Sequence, residues 1–71
     1  MKEKKREETT KTEQKILLYV AAGYTDKEIS KETNIHYSTV RNSLRQLFLK
    51  SKTVNRPHLV SWAYKEGILK I

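Results

Sequence analysis

Arg41 and Arg45 place two guanidinium groups one helical turn apart, with the carboxamide of Asn42 beside them. Arginine offers two parallel donors that fit guanine O6 and N7, and asparagine pairs a donor and an acceptor with adenine N6 and N7. His36, Ser38 and Thr39 come just before them, where a helix is expected to begin. Free N–H groups and hydroxyls at such a helix start bind phosphate oxygens. The residues therefore fall into two groups. Arg41, Asn42 and Arg45 are candidate base contacts, while Lys27, His36, Ser38, Thr39 and Lys50 are candidate phosphate contacts.

The distribution of charge supports that division. The 71 residues carry a formal net charge of +7. Residues 36–58 hold Arg41, Arg45, Lys50, Lys52 and Arg56 without one carboxylate, whereas both signs are mixed elsewhere. Solubility alone does not require acids to be excluded from one stretch. A localised positive face is the electrostatic footprint of a site for a polyanion.

The elements that must position these groups follow from capping and periodicity. Residues 1–9 are mostly charged and aperiodic, as expected of a flexible tail. Thr10 and Glu13 have the spacing of a capping box, Ile16, Tyr19 and Val20 follow at helical intervals, and Gly23 is a natural stop. Thr25 and Glu28 form a second capping box that opens a short helix over 26–33, with Ile29 as its main buried residue. Asn34 can take the left-handed conformation that ends a helix, after which Ile35 turns inward. A third helix is expected over 37–50, with Val40, Leu44, Leu47 and Phe48 inside and Ser38, Arg41, Asn42, Arg45 and Leu49 outside. Tyr37 falls on its core side. Asn55 or Arg56 can cap a fourth helix that runs to about Glu66, with Pro57 in its first turn and Gly67 beyond it. Its apolar residues Leu59, Val60, Trp62, Ala63 and Tyr64 cover an arc of about 200°, too wide for one buried stripe. They are the candidate surface for a second copy.

The pattern predicts an all-α, small four-helix domain over 10–71 that contains a helix-turn-helix motif. The 26–33 helix props up the 37–50 helix so that its outer face projects, and the major groove is wide enough to take one helix. Other chemistry finds little footing. Without cysteine the chain has no disulfide or thiolate metal site. His36 and His58 stand 22 residues apart with no Cys or acidic partner, so neither a metal nor a cofactor is expected. No acid pair, activated nucleophile or phosphate-cradling glycine loop suggests an enzyme. No apolar run approaches the roughly 20 residues of a membrane span and no signal-type apolar segment follows Met1, which leads to the expectation of a soluble cytoplasmic protein.

The wording of the motif carries a resemblance. Gly23-Tyr24-Thr25-Asp26-Lys27-Glu28-Ile29-Ser30, then Ile35, then Thr39-Val40-Arg41-Asn42 closely resembles the LuxR/FixJ-type (GerE-like) helix-turn-helix family. Thr10-Lys11-Thr12-Glu13 is similar to the family's opening, and Arg56, Leu59-Val60, Ala63 and Gly67-Ile68-Leu69 are similar to its last helix. The resemblance spans residues 10–69 and implies a stand-alone member with a recognition helix at about 37–50. It further implies base reading by Arg41, Asn42 and Arg45, phosphate contacts at Lys27, Ser38 and Thr39, and a homodimer formed through the last helix. Three single positions and one short segment depart from the pattern. His36 replaces a capping Ser, Ser43 replaces His, Thr9 replaces a core Leu, and Lys50-Ser51-Lys52-Thr53 replaces Lys-Leu-Gly-Val. The expected function is a transcription regulator that binds double-stranded DNA sequence-specifically. The alternative is an adaptor that uses the same motif to grip RNA polymerase or another regulator.

Overall fold

The computed structural model describes residues 9–70. They form four helices: α1 Lys11–Ala21, α2 Asp26–Thr33, α3 Tyr37–Ser51 and α4 Arg56–Lys65. No strand occurs among the described residues, so the fold is all-α. The tail expected over 1–9 lies outside the described residues apart from Thr9, whose hydroxyl accepts a 3.0 Å hydrogen bond from Gln14 Nε2.

Both capping boxes form. Glu13 N–H donates to Thr10 Oγ1 at 3.1 Å while Thr10 N–H donates to Glu13 Oε1 at 3.0 Å. Thr25 and Glu28 repeat the exchange at 3.2 and 2.8 Å. Each pair satisfies N–H groups that have no partner inside the helix, an arrangement worth about 1 kcal/mol per cap. Between α2 and α3 the chain turns in three residues. Asn34 takes the left-handed conformation with φ 65°, and its N–H still reaches Ser30 O. Ser30 Oγ donates to Ile35 O at 2.6 Å, and Ile35 N–H donates to Thr33 Oγ1 at 3.2 Å. Side chains of α2 thus satisfy the polar groups of the turn, and Ile35 packs half-buried against the core.

Two helix ends differ by one residue from expectation. α3 continues to Ser51, whose hydroxyl donates to Leu47 O at 2.7 Å, and Lys52 stops it in left-handed backbone with φ 58°. Lys52 stands where the resembling family has glycine, so a side chain occupies a conformation that glycine adopts without steric cost. α4 ends at Lys65, after which Ile68 and Leu69 N–H groups both return to Ala63 O around Gly67. Of the two candidate caps, Asn55 is the one used, accepting from His58 N–H at 2.9 Å.

The core joins Ile16, Leu17 and Val20 of α1, Ile29 of α2, Val40, Leu44 and Leu47 of α3, Leu59 and Ala63 of α4, and Leu69 beyond it. α1 and α3 are the shared elements, each packing against all three of the other helices. Fully burying a side chain of this size stabilises the fold by about 1.5–3 kcal/mol. One correction concerns the surface expected to meet a second copy. Leu59 and Ala63 are completely buried within the chain, so neither is available to a partner. The arc is wide because the core takes its inner half. Val60 and Trp62 pack half-buried against the core and Tyr64 is exposed.

Candidate nucleic-acid interface

α3 is buried along Val40, Leu44 and Leu47 and exposed along Tyr37, Ser38, Arg41, Asn42, Arg45 and Leu49. A helix with 3.6 residues per turn separates these sets onto opposite faces, and burial of the first set fixes the orientation of the second. A shallow groove runs along the outer face, lined by Ser38, Arg41, Asn42 and Arg45 together with Asp26 and Arg56. The three candidate base contacts therefore stand together on one exposed surface. None of them is consumed by the core.

At the start of α3, His36 is the N-cap: its Nδ1 accepts from Ser38 N–H at 3.3 Å and lies 3.0 Å from Ser38 Oγ. The first turn contains no acidic residue, so α3 itself supplies no carboxylate against the positive end of its dipole. His36, Ser38 and Thr39 are all exposed at this end, and Lys27 is exposed in the first turn of α2. An electropositive helix start with hydroxyls around it suits a phosphate oxygen.

Two residues sit otherwise than the sequence suggests. Tyr37 is not on the core side: it is 38% exposed, and its hydroxyl accepts a 3.2 Å hydrogen bond from an Arg41 Nη. The Arg41 guanidinium carbon also lies 5.8 Å from the Tyr37 ring centroid, within reach of a cation–π interaction. The hydrogen bond to Tyr37, and then its electrostatic attraction, raise the pKa of Arg41 above the ordinary arginine value, with Asp26 adding to the effect. Arg41 is thus a permanent cation with a neighbouring aromatic hydroxyl. A wheel projection places Tyr37 one turn before Arg41, and that i, i+4 spacing was the available signal for the pair.

Lys50 is the second correction. Its Nζ donates to Glu13 Oε1 at 2.7 Å, and the two side chains retain only 18% and 7% exposure. The ammonium points toward α1 rather than to the outer face of α3, which removes Lys50 from the candidate phosphate contacts. Glu13 accepts from Lys50 and from Thr10 N–H through the same oxygen, joining the α1 cap to the end of α3. Sequence spacing gave no hint of a pair 37 residues apart. Arg56 behaves similarly, with one Nη bound to Asp26 Oδ1 and the other donating to Tyr24 O at 3.3 Å. Tyr24 in turn packs edge-on against Tyr19, the ring centroids 5.0 Å apart. Arg56 therefore ties the start of α4 to the α1–α2 turn.

No helix among the described residues is long and apolar enough to cross a membrane. Comparison with known proteins places this sequence in a family. Residues 8–63 match the model of GerE, bacterial regulatory proteins of the luxR family. A probable transcriptional regulator, ycf29, of Cyanophora paradoxa is 35% identical over 60 residues, covering 84% of this chain and 29% of its own length. The monoamine regulon transcriptional regulator of Klebsiella aerogenes is 40% identical over 52 residues, covering 73% of this chain and 23% of its own. The chain thus spans less than a third of the curated relatives it matches. No solved structure matches it. The family consists of regulators rather than enzymes, and the matched segment contains both capping boxes, the α2–α3 turn and all of α3. The chain belongs to the luxR family of bacterial regulatory proteins.

Proposed function

We propose that this chain binds double-stranded DNA sequence-specifically as a transcription regulator, with α3 lying in the major groove. Arg41, Asn42 and Arg45 read base edges. Lys27, His36, Ser38 and Thr39 hold the flanking phosphates. The observation that carries the reading is the division of α3 into a buried apolar face and an exposed face bearing those three side chains. Family membership supports the same reading. Selection of bound duplexes from a random library, followed by mobility shifts on the enriched sequence, tests it. A preferred site should emerge, and affinity for it should fall with salt at a log–log slope of about −0.9 for each phosphate neutralised. Binding without sequence preference would favour an adaptor that grips another protein.

The reading extends to a homodimer through the part of α4 that the core leaves outside. Val60, Trp62 and Tyr64 remain for that contact. Two copies would then occupy half-sites about 10 base pairs apart or a related spacing. Sedimentation of the protein with and without the selected duplex measures the stoichiometry. A single copy on a single half-site would end the dimer proposal while leaving DNA binding intact.

A further inference from the structure

We propose that Tyr37 is a positioning residue for recognition, holding the Arg41 guanidinium in place for its base contact through a hydrogen bond and ring contact one turn earlier on α3. The inference rests on the DNA-binding reading above and adds to it a residue that the motif does not assign.

Arginine carries several rotatable bonds, and fixing such a side chain at an interface costs about 0.5–1.5 kcal/mol. Arg41 is exposed, so the core does nothing to restrict it. Tyr37 does. Its hydroxyl accepts from one Nη at 3.2 Å, and its ring lies 5.8 Å from the guanidinium carbon. Arginine has five N–H donors, and this bond uses one, so donors remain for the two parallel bonds that guanine accepts. Tyr37 is itself anchored at the first position of α3, directly after the His36 cap. Its ring is rigid beyond two torsions, so it loses little entropy as a support. Part of the ordering that Arg41 would otherwise undergo on binding is then complete in the free protein.

The experiment is a double-mutant cycle with Tyr37→Phe and Arg41→Ala, alone and together. The probe is the duplex enriched from a random library by the wild-type protein. Tyr37→Phe keeps the ring and removes only the exposed hydroxyl, so the fold is retained, and thermal melting followed by circular dichroism checks this. The expected result is a roughly two- to tenfold loss of affinity for the selected duplex, the cost of ordering Arg41 that binding would then have to meet. Preference should relax at the base pair where Arg41→Ala relaxes it. In the Arg41→Ala background, Tyr37→Phe should change affinity by less than about 1.5-fold, because coupled residues are not additive. The salt slope should be the same for Tyr37→Phe and wild type, since no charge is lost. Equal losses from Tyr37→Phe in both backgrounds would overturn the inference and make Tyr37 an independent DNA contact. No loss in the wild-type background would overturn it as well. If the wild-type protein enriches no sequence at all, the DNA-binding reading fails and takes the inference with it, which distinguishes the two failures.

Discussion

Four of the five cations from one acid-free stretch of sequence end in two different situations. Arg41 and Arg45 stand on the exposed face of α3, whereas Lys50 and Arg56 are drawn into ion pairs with Glu13 and Asp26. The carboxylates that receive the second pair come from α1 and α2, 37 and 30 residues away. An absence of acids along the chain therefore does not mean an absence of acids in space. Fold-back neutralises some of the positive charge in ion pairs and leaves the remainder more sharply defined. On α3 the remainder is Arg41 and Arg45, beside Asn42.

The comparison is broken or sharpened by substitutions that separate binding from stability. The largest effect is expected on the outward side. Arg45→Ala should weaken binding to the selected duplex by about 1–3 kcal/mol, measured by fluorescence anisotropy, and leave the melting temperature nearly unchanged. Glu13→Ala should do the reverse. It removes an N3 reciprocal bond and leaves the partly buried Lys50 ammonium without this carboxylate, which should cost about 1–3 kcal/mol in urea denaturation. Arg56→Lys keeps the charge but loses the fork that spans Asp26 and Tyr24 O. At its level of exposure about 0.5–1 kcal/mol of stability should go, with little change in DNA affinity at saturating folded protein. The smallest effect is the most discriminating. Lys50→Gln should leave the salt slope of binding unaltered, whereas a phosphate-contacting lysine would lower its magnitude by about 0.9.

Much of this architecture was legible in the residues. Two capping boxes, the Asn34 stop and the Pro57 start mark helix ends by local chemistry, and local chemistry is what a sequence displays directly. The inner face of α3 was equally visible, because Val40, Leu44 and Leu47 repeat at helical intervals. The misplacements share a cause. A wheel projection gives the direction in which a side chain leaves the helix, but not where a long side chain ends. Lys50 leaves α3 near its boundary and bends to Glu13, and the Tyr37 ring leans outward to Arg41. Leu59 and Ala63 failed for a related reason. An arc of 200° on α4 contains both an inner and an outer half, and only the path of α1 and α3 decides which residues fall in each. Leu17 and Leu69, both buried, needed the same tertiary information.

The turn between α2 and α3 has a consequence for the DNA rather than for the protein. Ser30 bonds Ile35 O, Thr33 receives Ile35 N–H, and Asn34 occupies a narrow backbone well. Three residues secured in this way leave α3 little freedom to change its tilt against α2. A duplex whose groove is too narrow or too wide for that tilt would have to deform to be bound, and the cost of deformation depends on sequence at steps no side chain touches. For the DNA binding proposed above, a turn held in this way would make the stiffness of the duplex itself part of what is recognised.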